Sequence, residues 1–263
     1  MVFLGLGGLV YLIIFLVGLS LGSFLNSLIW RARENIRIVK GRSICPGCRR
    51  QLAWYENIPV FSYIFLFGKC RTCKMVIPRH FIFVELGTAI LFTLVAWHAL
   101  NERNGDVSAF HLSHQLIFVL FLVVIFIYDL LYQIILSEVV WVGVILGFIF
   151  NFYSGVTVTS MLIGCIVGAG FFLFQYLISR GKWIGGGDVR MGAMMGVWLG
   201  WPGILPALAI AYILGAIFSL LLIVFGGRKF SCATPFGTYL AIGTFITMLW
   251  GSKIIGWYIS MLG

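Results

Sequence analysis

The sequence predicts an all-α polytopic membrane protein, with about eight transmembrane helices and one small cytosolic zinc-binding module. Three observations predict it. Hydrophobic residues make up 61% of the 263 positions and charged residues 10%, against roughly 25% charged in a soluble domain. Mean hydropathy is +1.07, and it is concentrated in uncharged runs that each approach the ~20 residues a helical span needs. The basic residues also cluster. Eleven of the eighteen Lys and Arg fall between Arg31 and Arg79, three at Arg180, Lys182 and Arg190, and two at Arg228 and Lys229. Only Arg103 and Lys253 lie elsewhere. Clustering in alternate loops is the positive-inside pattern. The net charge of +10 therefore reports orientation in a lipid bilayer, and no nucleic acid partner is expected.

The elements follow in order. The first span runs from about Leu4 to Trp30 and carries no charged side chain, with the basic residues after it. A cleavable signal has its positive charge before the apolar core. This order therefore predicts an uncleaved N-terminus outside and a cytosolic segment from Arg31. The expected domains are 1–30, the first helix; 31–80, the cytosolic four-cysteine module; and 81–263, a membrane domain. Within the last, spans are expected near Phe81–Leu100, His114–Tyr132, Ile134–Phe150, Val156–Ile178, Asp188–Trp201, Ile204–Phe225 and Phe236–Ile259. The loops Asn101–Ser113 and Gly226–Ala233 fall outside and inside respectively. Counting crossings places every basic cluster inside, so hydropathy and charge bias agree. No internal repeat is evident. The run Ile58–Gly68 is apolar but too short to span; it lies in the membrane interface or packs inside the module.

Ionisable groups in or beside spans are functional candidates because of their cost in hydrocarbon. The acids so placed are Glu85, Asp129, Glu138 and Asp188. The topology puts Asp129 at the inner end of the third span and Asp188 at the inner start of the sixth, at one depth. Two carboxyl groups held close share a proton. The ionised member can then take a proton from water while the other polarises a peptide carbonyl, which is the chemistry of an aspartic protease. Gly185, Gly186 and Gly187 before Asp188 leave room for a substrate backbone. The plainer alternatives are an N-cap for Asp188 and an interfacial charge for Asp129. Asp188, Gly192, Gly196 and Gly200 recur every four residues on one helix face. Small residues at that spacing let membrane helices approach closely, so this face is expected against a neighbouring helix.

Cys45, Cys48, Cys70 and Cys73 form two Cys-x-x-Cys pairs with twenty-one residues between them. Thiolates so spaced suit a tetrahedral Zn²⁺, and a cytosolic module is not expected to hold stable disulfides. A closed four-thiolate site supports folding and leaves no open position for catalysis. Cys165 and Cys232 read as small packing residues. In the first span, Gly18, Gly22 and Asn26, with Ser23 and Ser27 beside them, read as a helix contact face or part of a polar pocket. The four histidines show no ligand grouping, and no Walker sequence is present.

Several segments together resemble the type IV prepilin leader peptidases, a family of membrane aspartate peptidases. They are Gly22-Ser23-Phe24-Leu25-Asn26 with Arg31, the two cysteine pairs, Trp54-Tyr55-Glu56-Asn57-Ile58-Pro59, Glu85, Asp129, the run Gly185 to Val189, and Pro235-Phe236-Gly237. The resemblance spans most of the chain in order. It implies cleavage after a glycine in the basic leader of prepilins or pseudopilins, with Asp129 and Asp188 as the catalytic pair, in the bacterial cytoplasmic (inner) membrane with the site facing the cytosol. Members with the cysteine module often also methylate the new N-terminus using S-adenosylmethionine. The residues weighed as its partners are Trp54, Tyr55, Glu56 and Glu85. The chain departs from the family twice. Arg190 stands where Lys is usual, and Leu136 where Pro is usual. The competing readings are a peptidase without methyl transfer, a membrane thiol oxidoreductase using the cysteines, and an ion-coupled transporter. The last would want ionisable groups through the membrane depth, and these two acids share one boundary.

Overall fold

The computed structural model describes residues 2–36, 41–102, 108–225 and 235–262, with side chains between 8 and 261. The expected inner loop at 226–233, including Cys232, lies outside the described residues, as does 103–107 of the expected outer loop. The helices are α1 (Val2–Arg33), α2 (Phe61–Phe65), α3 (His80–Glu102), α4 (Ala109–Tyr132), α5 (Ser137–Tyr153), α6 (Val158–Ser179), α7 (Gly186–Leu199), α8 (Ile204–Val224) and α9 (Phe236–Leu262), with a 3-10 turn at Trp54–Asn57. Extended pairing among the described residues is limited to two isolated antiparallel bridges, Ile44 with Gln51 and Lys69 with Val76.

Six helices, α1, α3, α4, α6, α8 and α9, are long and apolar enough to cross a membrane. The other two expected spans are shorter, α5 with 17 residues and α7 with 14. At 1.5 Å per residue they reach about 25 and 21 Å, against a hydrocarbon core of ~30 Å. Eight is therefore an approximate count. The chain forms two compact units, 1–112 and 113–263.

In the first unit α1 and α3 pack backbone to backbone. A Cβ at Gly18 would stand 2.7 Å from the Ala89 Cα, and one at Gly22 2.7 Å from the Glu85 Cα. Bulkier residues would force the helices apart, so the small-residue strip read from the sequence is a contact face.

In the second unit α7 is the central element, and Met191, Met194 and Met195 are fully buried. Its glycine face meets α6. A Cβ on Gly192 would run into the backbone of Gly168, and one on Gly196 into that of Gly164. Both ends of this short helix are satisfied by protein groups. At its C-terminal end Asn151 Nδ2 donates to the carbonyls of Val197 (2.6 Å) and Trp198 (3.0 Å). Trp198 Nε1 donates to Gly143 O at 2.8 Å, and its ring stacks on Phe118 with centroids 4.2 Å apart. The last carbonyls of a helix have no partner within it, and α5 supplies one here.

Candidate active site and metal centre

Asp129 sits near the C-terminal end of α4. That helix stops where Gln133 takes a left-handed conformation, φ 55°, with its N–H bonded to Asp129 O at 2.7 Å. The Asp129 side chain turns to the start of α9, where Thr238 N–H donates to Oδ2 at 3.0 Å. A helix N-terminus carries unpaired N–H groups and a positive dipole end, which favour a carboxylate. Gly237 makes the approach feasible, because a Cβ there would lie 2.9 Å from the same Oδ2.

Asp188 occupies the first turn of α7. It is the third residue of the helix, with Gly185 at the cap position. The N-cap expectation is thus displaced by three residues: Gly185 N–H donates back to Asp188 Oδ2 at 3.0 Å. Both aspartates are buried, 4% and 8% exposed, and each is held by a backbone N–H at a helix start. They lie within electrostatic range of one another. Ile135, in the connection between α4 and α5, packs against the starts of both α7 and α9. A Cβ on Gly187 or on Gly237 would be 3.0 Å from Ile135.

Several site neighbours were not singled out from the sequence. Tyr212 lies within electrostatic range of Asp188, and Tyr239 of Asp129. Tyr212 donates its hydroxyl to Gln175 Oε1 at 2.8 Å, and Phe236 packs edge-on to Tyr212 at 5.1 Å between centroids. Thr238 has no local sequence signal, since its partner is 109 residues away. Tyr239 and Tyr212 could have been suspected only as polar groups on otherwise apolar helices. Arg190 donates through Nε to Gly186 O at 3.1 Å and through a guanidinium N–H to Ser137 Oγ. It pins the glycine turn to the start of α5, a task a lysine's single ammonium would do with fewer bonds. Leu136 caps α5 with φ −68°, close to the value a proline would impose.

The four cysteines converge, with all four Sγ atoms within 4.8 Å of one another. Cys45 and Cys73 Sγ are 3.7 Å apart. Tetrahedral Zn–S bonds of ~2.3 Å require S···S edges of about 3.8 Å, so the donor set fits a divalent metal. Each pair sits on one turn of the same construction. Arg49 N–H bonds Cys45 O and Cys45 N–H bonds Arg50 O, while Lys74 N–H bonds Cys70 O and Cys70 N–H bonds Met75 O. Arg49 and Lys74 are both left-handed, at φ 55° and 58°. The two Cys-x-x-Cys pairs therefore also share one backbone turn. Backbone N–H groups of Cys73 and Thr72 bring the Cys70 thiol down to about 6, whereas burial pushes Cys45 up to about 11.

The four residues weighed as methyl-donor partners divide. The Glu56 side chain, 2% exposed, takes a two-pronged bond from Arg50 at 2.8 and 2.9 Å and accepts Ala53 N–H at 2.8 Å. Glu85 accepts Val60 N–H at 2.7 Å and bonds with Ser23 and Asn26. Both carboxylates are engaged in holding the first unit together. Trp54 and Tyr55 are exposed and stack edge to face at 5.8 Å.

Residues 16–99 match the model of the bacterial Peptidase A24 N-terminal domain, and residues 116–220 that of the type IV leader peptidase family. The chain is 31% identical over 289 residues to the prepilin leader peptidase/N-methyltransferase of Aeromonas salmonicida, covering 98% of this chain and 97% of the relative. The chain belongs to the type IV leader peptidase family. The protein of the same description from Pseudomonas aeruginosa is 30% identical, over 94% and 93% of the two chains, and that of Legionella pneumophila 29%, over 95% and 94%. No solved structure matches. Both aspartates fall inside the leader peptidase match, whereas Gly237 and Thr238, which receive Asp129, lie beyond it. The four cysteines, Glu56 and Glu85 fall inside the N-terminal match.

Proposed function

We propose that this protein is an aspartic endopeptidase that removes the leader peptide of type IV prepilins or pseudopilins at the cytoplasmic face of the bacterial inner membrane, and that it then N-methylates the new N-terminus. One observation carries the peptidase reading: Asp129 and Asp188, from distant parts of the chain, are both buried within electrostatic range of one another, each held by backbone N–H groups at a helix start. These bonds orient both carboxyl groups for chemistry. The ionised member takes a proton from water as that water attacks the scissile carbonyl carbon. The protonated member donates to the carbonyl oxygen. As the tetrahedral species collapses, the C–N bond breaks and the nitrogen leaves with a proton from the pair. The two titrate as a unit. Backbone N–H groups at the starts of α7 and α9 stabilise the charge that remains through the cycle. The printed names of the relatives support both activities, and the clustered basic residues support the inner-face orientation.

The cysteine set would hold one Zn²⁺ as a structural centre. S-adenosylmethionine, when bound, supplies an electrophilic methyl group to the amine that cleavage frees. Trp54 offers an exposed π face suited to a sulfonium cation, whereas the Arg71 guanidinium already lies over the Tyr55 ring, and Glu56 and Glu85 serve the fold. The test uses purified protein in lipid with a model prepilin, read by mass spectrometry. Asp129→Asn and Asp188→Asn should each abolish cleavage while the protein stays folded in the membrane. Wild-type rates in either variant would sink the assignment.

A further inference from the structure

The apolar run 58–68 is too short to cross a membrane, yet it does not pack inside the module. Within α2 and the turn after it, Phe61, Ile64, Phe65 and Phe67 are 55%, 58%, 76% and 88% exposed. Residues 61, 64 and 65 are spaced i, i+3, i+4, so they share one face. Tyr63 turns the other way and packs on Gly68, whose left-handed backbone (φ 65°) and missing side chain let the chain fold back. Water contact for four large side chains at adjacent positions is costly, about 25 cal/mol per Å² of apolar surface, so this face calls for a cover.

The first unit also fixes where the face stands. Val60, the residue before α2, donates its N–H to Glu85. Glu85 lies five residues into α3, about 7.5 Å along that helix. Asn26 of α1 donates to Phe81 O at 2.9 Å, and Phe83, two residues before Glu85, is itself exposed on α3. Thus the residue before α2 is tied to α3 at Glu85, past the point at which that helix begins, and α3 is in turn tied to α1. Amphipathic helices at the headgroup boundary bury their apolar face by roughly 5–10 Å, the same order as the distance along α3 from its start to Glu85. The charge agrees. Residues 31–79 hold eleven basic side chains against two acidic ones, Glu34 and Glu56, and both acids are paired with arginine. Lys69, Arg71 and Lys74 follow the aromatic run immediately and are exposed.

We infer that α2 and its following turn form a monotopic membrane anchor: Phe61, Ile64, Phe65 and Phe67 enter the acyl boundary of the adjoining leaflet, with Lys69, Arg71 and Lys74 at anionic lipid phosphates. The bilayer is favoured as occupant over a substrate helix because Glu85 ties the start of α2 near the start of a membrane-spanning helix that itself exposes Phe83. The inference rests on the membrane reading of α1 and α3 and not on the peptidase reading. Its test is therefore not read by cleavage.

The experiment uses the full chain in nanodiscs of mixed phosphatidylglycerol and phosphatidylethanolamine. The photoreactive p-benzoylphenylalanine replaces Phe65 or Phe67, and in a control replaces Arg49, which is exposed on the first cysteine turn. Retained zinc content verifies that the module is folded. After irradiation, phospholipid adducts on the 65 and 67 peptides and none on the 49 peptide are expected, and their yield should be unchanged when prepilin is added. Three outcomes overturn the inference: no lipid adduct at 65 and 67, equal adducts at 49, or transfer of the cross-links from lipid to prepilin. The last would make the face a substrate-docking surface.

Discussion

Replacing Gly196 by alanine tests whether the close contact of α6 and α7 sets the position of Asp188. A Cβ at residue 196 would stand 2.5 Å from Cys165 N and nearer still to the Gly164 carbonyl. All are backbone atoms, so no side chain can swing aside. Restoring an ordinary separation of about 3.5 Å requires α7 to move from α6 by on the order of 1 Å. Overpacking of this kind costs roughly 1–3 kcal/mol, offset in part by the ~1 kcal/mol that alanine gains over glycine in a helix. Stability should therefore fall only modestly. Catalysis should suffer more, because a shift of about 1 Å in a reacting group can cost ~10²-fold, and Asp188 rides on the same helix two turns away. Gly170→Ala is the control: it lies on α6 and a Cβ there meets nothing within 4 Å. The assay is kcat/KM for prepilin cleavage in lipid beside thermal unfolding. The expectation is about a hundredfold loss for Gly196→Ala and none for Gly170→Ala. Activity within threefold of wild type in a folded Gly196→Ala protein would refute the reasoning.

Elemental analysis should find about one zinc per chain, as a single four-cysteine site requires, and Cys45→Ser with Cys48→Ser should remove it; unchanged metal content would defeat the assignment. The Arg50 guanidinium holds the Glu56 carboxyl below its ordinary 4.5, so its stabilisation is complete above that pH and is lost as pH falls through the lowered value. Amide exchange of the module in Glu56→Gln should accordingly exceed wild type at neutral pH, with the difference shrinking below about pH 4.5; a gap that persists in acid would mean the carboxylate charge is not its source. Supplying S-adenosylmethionine with prepilin should add ~14 Da, one CH₂, to the mature N-terminus, and cleavage without that increase, where a methylating relative succeeds, would leave a peptidase alone.

The outline of the span pattern and the grouping of the four cysteines were legible in the sequence because each depends on short-range order. Hydropathy is summed over one helix, and the paired thiols are three residues apart. The glycine face of α7 was likewise a matter of helical period. Partner choice is different. That Thr238 receives Asp129 across 109 positions, that Ile135 packs against both Gly187 and Gly237, and that Asn151 lets α7 end after 14 residues follow from how helices far apart in the chain assemble. The same holds for Glu56 and Glu85. As isolated acids they could serve a cationic ligand equally well, and only the folded chain assigns them to Arg50 and to Val60. A buried carboxylate must find hydrogen-bond donors wherever packing offers them, and packing is a property of the assembled chain and not of any local window.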